Sequence, residues 1–144
     1  MPKDDTAVLE ARQEQAASSR RATLALLKGK KRAEREVLVE IPGADGPEQA
    51  SFLFRAISRR EYDALIDEHP PTKAGIARGD IFNMDTFAPA LLAKVVVEPR
   101  VSEDDWRELW KSPDWSTGEL NGLFVTAAGL CNSGFELVPT TGTD

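Results

Sequence analysis

Residue types that could carry catalysis are scarce in this chain. It has one histidine, His69, and one cysteine, Cys131. Metal sites built on paired histidines therefore lack their second member, and so does most Ser/Cys–His nucleophilic catalysis. His69 precedes Pro70 at the expected end of a helix, where a cation is electrostatically favoured, so we expect a structural role for it. Cys131 follows Ala128 on the apolar face of the last expected helix, which predicts a buried thiol without a disulfide partner.

The carboxylates and glycines do not add a recognisable active site. Asp104 and Asp105 are adjacent, and adjacent helical positions do not face each other, whereas acid/base catalysis needs two convergent groups. The segment from Gly75 to Gly79 lacks the Gly-Lys-Ser/Thr of a phosphate-binding loop. No acidic spacing matches a calcium-binding loop. The sequence therefore predicts a protein that is not an enzyme and that needs no metal and no cofactor.

The first part of the chain reads as an arm followed by a hairpin. Residues 1–36 have high helix propensity but few apolar side chains, which favours a helical or partly disordered arm. Val37–Ile41 and Ala50–Ile57 alternate around a linker rich in Pro, Gly and Asp, and this pattern predicts a β-hairpin. Because a two-stranded hairpin is not stable alone, we expect helices or a partner's strands to cover it.

The rest of the chain predicts short helices with recognisable start signals. Ser58, Ser102 and Ser116 each precede an acidic residue three positions later, which is the pattern of a capping box or a weaker variant of it. Asp85 is expected to cap a further turn that Pro89 enters near its first helical positions. The predicted fold is therefore mainly α, of the α+β class, with an N-terminal helical arm, one β-hairpin and about four short packed helices.

These elements divide the chain into three expected parts. The arm covers residues 1–36, a compact domain of hairpin and helices covers residues 37–132, and a flexible C-terminal tail covers residues 133–144. Within the compact domain, His69-Pro70-Pro71 ends one helix, and the glycines and charges of residues 72–83 predict a loop.

Charge is distributed unevenly along the chain. Residues 1–36 contain nine Lys/Arg and six Asp/Glu, whereas residues 37–144 contain nine and eighteen. The acidic body is expected to repel nucleic acid and anionic lipid. A basic cluster before it could contact phosphate, but acidic residues follow at once and no aromatic residues are interleaved for stacking, so a solvated helix end is favoured. This possible basic contact consists of Lys28, Lys30, Lys31 and Arg32.

Three tryptophans lie close together in the sequence. Trp106 and Trp110 share one helix face and are expected in the core. Trp115 lies in a loop, and tryptophan often anchors protein interfaces, so local packing and partner contact are equally favoured for it. The N-terminus lacks an apolar h-region, and the apolar run at residues 91–97 is too short to span a bilayer, so we expect a cytosolic protein without membrane contact.

The segment FNMDTFAPALLAKVVVEP, which ends at Pro99, resembles the central motif of small tail assembly chaperones of long-tailed bacteriophages, particularly those of actinobacterial hosts. FRAISRREYDALIDEHPPT resembles the segment upstream in that family, and VSEDDWRELWKSPDWSTGELNGLFVTAAGLCN resembles its downstream pair of helices. The resemblance covers about Phe52 to Asn132 and does not include the arm.

The resemblance implies a function without chemistry. Such chaperones bind the long helical tape measure protein in the host cytoplasm, keep it soluble while tail tube protein polymerises around it, and are absent from the mature virion. Tail tube protein and a second copy are further possible partners. The alternatives are a structural virion component, such as a neck or tail-completion protein, and a small nucleic-acid-associated protein that uses the basic arm.

For the chaperone, we expect apolar residues of the helical layer to form the groove for the tape measure protein. The expected partner-binding residues are Phe87, Leu91, Leu92, Val95, Trp106, Trp110, Trp115, Leu123 and Phe124.

Overall fold

The computed structural model describes residues 21–43 and 45–134. The chain divides into two compact units, with boundaries after Lys31 and after Ser133. In the first unit, helix α1 (Leu24–Lys28) begins after Thr23, whose hydroxyl accepts the Leu26 amide, and its residues are exposed. Residues 1–20 of the expected arm and residues 135–144 of the expected tail lie outside the described residues, whereas residues 34–36, which were assigned to the arm, belong to a β-strand.

The second unit contains a three-stranded antiparallel sheet with the order β1-β2-β3. The expected hairpin is confirmed, but its strands are longer than the sequence pattern indicated. Strands β1 (Glu34–Gly43) and β2 (Gly46–Arg55) pair along their whole length, up to Gly43 opposite Gly46. Gly46 has a φ of 113°, which glycine adopts without a steric cost, and this allows the strands to turn tightly.

A short strand, β3 (Val96–Glu98), was not expected from the sequence. It places Val96 opposite Phe54 and Glu98 opposite Leu53, so β2 becomes the central strand. The strand follows directly on helix residue Val95, and β-branched residues such as valine are compatible with either state. The third strand adds a second partner for β2, which a lone hairpin would lack.

Five helices follow the hairpin, where about four were expected. The extra helix, α3, lies within residues 72–83, which were interpreted as a loop. Thr72 caps its start and Gly79, in the left-handed conformation at φ 86°, ends it. The five are α2 (Arg59–Glu68), α3 (Lys73–Arg78), α4 (Met84–Val95), α5 (Glu103–Lys111) and α6 (Thr117–Asn132). The mainly helical α+β fold class is confirmed.

The serine caps are confirmed, whereas the cap of α4 differs from the expected one. Ser58, Ser102 and Ser116 each accept a hydrogen bond from the amide three residues later. The residue that caps α4 is Asn83, not Asp85, because the Asn83 side chain accepts the Asp85 amide at 3.2 Å. The helix therefore begins earlier than expected, and Pro89 lies inside it.

Helix α4 forms the centre of the core. It packs against α2, α5 and α6 and leads directly into β3. Phe54 of the sheet and Trp106 of α5 are also almost fully buried. The fully buried residues of α4 are Phe87, Ala88, Pro89, Ala90, Leu91, Leu92 and Val95. No helix in the described part of the chain combines the length and hydrophobicity needed to cross a bilayer.

Candidate functional site

Most of the expected partner-binding residues lie in the core, which corrects their interpretation as a surface groove. Each has an exposed fraction of 9% or less, so a partner of the folded chain could reach little of their surface. The physical reason is that an apolar helical pattern is the same for a core face and for a binding face. These seven residues are Phe87, Leu91, Leu92, Val95, Trp106, Leu123 and Phe124.

The other two expected residues, Trp110 and Trp115, are half-buried and border surface clefts. Trp110 lines two adjoining clefts, of about 340 Å³ and 400 Å³, which also share Asp85 at the start of α4. Trp115 lines a crevice of about 240 Å³ beside β1. Both indoles also pack against the core, so the structure shows local packing for Trp115, and partner contact by Trp115 stays a prediction.

A large concave surface lies between α2 and α6. This α2–α6 groove has a volume of about 520 Å³. Arg59 and Asp63 of α2 lie at it, and the Asn132 side-chain amide at the end of α6 donates to the Tyr62 hydroxyl at 3.1 Å. Its apolar lining consists of Ile57, Ile66, Ile81, Phe82, Phe124 and Ala128.

An aromatic cluster holds the lining of the groove in place. Phe82 stacks on Phe87 with ring centroids 4.2 Å apart, and Phe124 meets both rings edge to face at about 6 Å. Tyr62 makes a further edge-to-face contact with Phe87 at 5.8 Å. Offset-stacked and edge-to-face pairs are the favoured aromatic geometries, so the partly exposed Phe82 is fixed by buried neighbours. Sequence reasoning missed Phe82 because it assigned this segment to a loop.

Ile81 is the most exposed apolar residue of the groove. Its exposed fraction is 69%, although isoleucine is among the residue types most often buried. Its neighbour Phe82 turns inward onto Phe87, and Asn83 is held by a hydrogen bond from its amide to the His69 carbonyl at 2.9 Å. An isoleucine presented on an anchored segment can add apolar contact to a bound partner without first becoming ordered.

Cys131 also lines the groove and is half-buried, where the sequence indicated a buried thiol. Burial raises the pKa of the Cys131 thiol above its ordinary value, and a hydrogen bond with the Ile57 backbone lowers that pKa to a smaller extent. Since the thiolate is the reactive form, the protonated thiol is a poor nucleophile at neutral pH. His69 contacts the Phe87 ring edge to face and caps the end of α2, in agreement with the structural role expected for it.

Residues that could hold a metal or phosphate do not converge where the structure can be described. Within residues 21–43 and 45–134, no group of three or more His, Cys, Asp or Glu side chains could hold a metal ion. Of the basic cluster, Lys30 donates to the Lys31 carbonyl at 2.8 Å in the first unit. Arg32, in the second unit, forms an ion pair with Glu61 at 3.4 Å. The cluster is thus divided between the two units.

Comparison with protein-family models, with curated proteins and with solved structures found no match. The likeness to tail assembly chaperones is therefore carried by the residue pattern of Phe52 to Asn132. In the structure this pattern spans β2 to α6 and supplies both sides of the α2–α6 groove.

Proposed function

We propose that this protein is a phage tail assembly chaperone that binds the tape measure protein and keeps it soluble during tail tube assembly. Two independent lines support the proposal. One is the ordered resemblance of Phe52 to Asn132 to that family. The other, which carries the physical argument, is the open apolar α2–α6 groove. A chaperone of this kind acts by covering apolar surface, so it needs a binding face and no catalytic group.

The lining of the groove suits the apolar face of an amphipathic helix. Such helices bind by placing side chains at i, i+3, i+4 and i+7 in a hydrophobic groove. Ile81 and Phe82 offer aliphatic and aromatic contact, and Arg59 and Asp63 offer one charge of each sign to the polar flank of the helix. Contacts with Phe87 hold Tyr62, Phe82 and Phe124 of the lining in place, which lowers the entropy lost on binding.

The charge of the second unit supports a role in keeping an apolar partner in solution. Residues 32–133 contain eleven Lys/Arg and eighteen Asp/Glu, a net charge of −7. Net charge far from zero disfavours self-association, and an acidic surface repels the phosphates of nucleic acid. Charge therefore favours the chaperone over the nucleic-acid-associated alternative.

Exchange of one exposed isoleucine tests the proposal. Full burial of an isoleucine side chain is worth about 1.5–3 kcal/mol, and about two-thirds of Ile81 remains available for a partner to cover. Ile81→Asp is therefore expected to weaken tape measure binding by about 5- to 30-fold. Ile76→Asp is the matched control, because Ile76 is 62% exposed and lies outside the groove.

The readout is co-expression with the tape measure protein of the same phage, followed by pulldown and by measurement of the soluble fraction. Wild-type protein and Ile76→Asp should keep the tape measure protein in solution, whereas Ile81→Asp should not. Equal rescue by both variants would exclude the groove as the binding face, and failure of the wild-type protein would exclude the chaperone function. Recovery of the protein from purified virions by mass spectrometry would instead support the structural component.

A further inference from the structure

No strand that the structure describes pairs with the outer edge of strand β1. Strand β1 is an outer strand of the sheet, and its hydrogen-bonding pattern can be assigned because the Ala56 amide donates to the Ala33 carbonyl at 2.9 Å. Antiparallel pairs alternate between bonded and non-bonded, so the odd-numbered residues of β1 bond to β2. Pro42 opposite Pro47 falls at a non-bonded pair, where a missing amide costs no ladder bond. Even-numbered residues of β1 therefore direct their backbone groups away from β2.

The side chains at this edge disfavour pairing with a second copy. Glu36, Leu38 and Glu40 are exposed, and Leu38 has an exposed fraction of 68%. If two β1 strands paired antiparallel about Leu38, each Glu36 would stand opposite Glu40 of the other copy. Like charges directly opposite one another destabilise a sheet, so pairing of β1 with the β1 strand of a second copy is disfavoured. The complementary strand carries basic side chains on either side of an apolar one.

A crevice beside the edge has the same character. Its apolar part is formed by Val39, Ile41, Pro42 and Trp115, and the crevice has a volume of about 240 Å³. The remaining lining residues are all acidic, namely Glu40, Asp114 and Glu119. A lysine or arginine can lay its aliphatic stem on such a surface, place its charge near the carboxylates and interact with the indole face.

We propose that the β1 edge binds an extended segment of a partner protein in which basic residues alternate with an apolar one, and that the acidic crevice beside Glu40 adds to the preference for basic side chains. The segment adds a strand to the sheet through the backbone groups of Glu36, Leu38 and Glu40. Its basic side chains face the two glutamates, and its apolar side chain faces Leu38. This surface is separate from the α2–α6 groove, so it does not depend on the proposed chaperone function.

A designed peptide tests this surface. The probe is acetyl-Thr-Lys-Thr-Val-Thr-Lys-Thr-amide, and the control peptide carries glutamate in place of both lysines. Titration of the full-length protein, followed by NMR of backbone amides, should shift Leu38 and its neighbours with the lysine peptide only, and added salt should weaken the binding. Equal binding of the two peptides, or shifts confined to other residues, would overturn the proposal.

Variants of β1 separate the contribution of the backbone to peptide binding from the contribution of the charged side chains. Leu38→Pro removes an outward-facing amide without removing a β1–β2 bond, so it should abolish binding, whereas Leu38→Thr keeps that amide and should retain it. The double change Glu36→Lys and Glu40→Lys leaves the backbone intact and should weaken binding of the lysine peptide by about tenfold while allowing the glutamate peptide to bind. If the double variant still bound the lysine peptide more tightly than the glutamate peptide, the assignment of Glu36 and Glu40 as the charged contacts would be wrong.

Two further measurements test whether the β1 edge is independent of the α2–α6 groove and whether a second copy occupies it. Ile81→Asp should leave peptide binding unchanged, because Ile81 lines the other groove. If it abolished peptide binding, the two surfaces would not be independent. Sedimentation equilibrium of the wild-type protein should show no association that Leu38→Pro removes. A dimer that this variant dissociates would mean that a second copy occupies the edge.

Discussion

Replacement of Phe87 by alanine separates a core role from a partner-binding role. Phe87 is fully buried in α4, and its ring contacts the rings of Phe82, Phe124, Tyr62 and His69. If these contacts hold the fold together, the change should lower the free energy of unfolding in the absence of any partner. If Phe87 were an exposed partner contact, stability would scarcely change and only binding would suffer.

The expected loss follows from the volume removed and from the aromatic contacts. Phe→Ala changes in protein cores cost about 3–5 kcal/mol. Phe87 stands near the upper end of this range, because aromatic pairs contribute about 0.5–1.5 kcal/mol beyond their buried area and several rings surround it. We therefore expect a loss of about 4–5 kcal/mol, which is a large share of the roughly 5–15 kcal/mol that stabilises a typical domain.

Urea denaturation followed by tryptophan fluorescence measures this loss, since Trp106, Trp110 and Trp115 all report on the second unit. The midpoint should fall with little change in slope. Should the alanine variant be unfolded from the start, Phe87→Leu gives a smaller shift that can be measured. Val125→Ala is the control, because Val125 is 55% exposed and its replacement should change stability by less than about 0.5 kcal/mol. A loss below about 1.5 kcal/mol for Phe87→Ala would refute the central position of this ring.

Substitutions at three further positions, Ser116, Glu119 and Trp106, test the helix start and the core. Ser116→Ala should cost about 0.5–2 kcal/mol, because the Ser116 side chain caps α6. Hydrogen bonds from Ser116 hold the pKa of the Glu119 carboxyl below its ordinary value. The ionised carboxylate therefore stabilises the fold at a pH above the unfolded-state pKa, and this stabilisation is lost as the pH falls through the lower folded-state pKa. The stability difference between wild type and Glu119→Gln should therefore narrow in acid, and a difference that is constant from neutral pH to about pH 3 would contradict the capping role. Among the described residues the buried Trp106 indole N–H has no hydrogen-bond acceptor, so Trp106→Phe, which removes this group and keeps a large ring, should cost less than about 1.5 kcal/mol by urea denaturation. Trp106→Ala also leaves a cavity and should cost about 3–5 kcal/mol; equal losses for the two variants would contradict the prediction that removal of the unpaired N–H offsets part of the lost packing.

Local signals in the sequence predicted much of the fold. The starts of α2, α5 and α6 were predicted because a serine followed by an acidic residue forms hydrogen bonds within one turn. The end of α2 was predicted from His69 and the two prolines after it, and the hairpin from its alternating residues. In each case the determining interaction lies within a few residues of sequence.

Features that depend on distant parts of the chain were not predictable in the same way. Strand β3 forms because Val96 meets Phe54, which lies far away in sequence. The boundary between core and groove likewise depends on which face of α6 meets α4. Phe82 and Ile81 belong to the groove because the His69 carbonyl anchors the segment after α3 to the end of α2.

The segment with the strongest family resemblance is also the segment least able to touch a partner. Phe87, Leu91 and Leu92 have no exposed surface, so the pattern around them specifies how the helices pack. The proposed partner contacts therefore lie at exposed residues outside this buried pattern, namely Ile81 beside the groove and Leu38 at the sheet edge. Because exposed positions are not constrained by core packing, they can change to suit a different partner while the fold persists. Under the proposed chaperone function, the same scaffold could be fitted to a different tape measure protein by substitutions at such exposed positions.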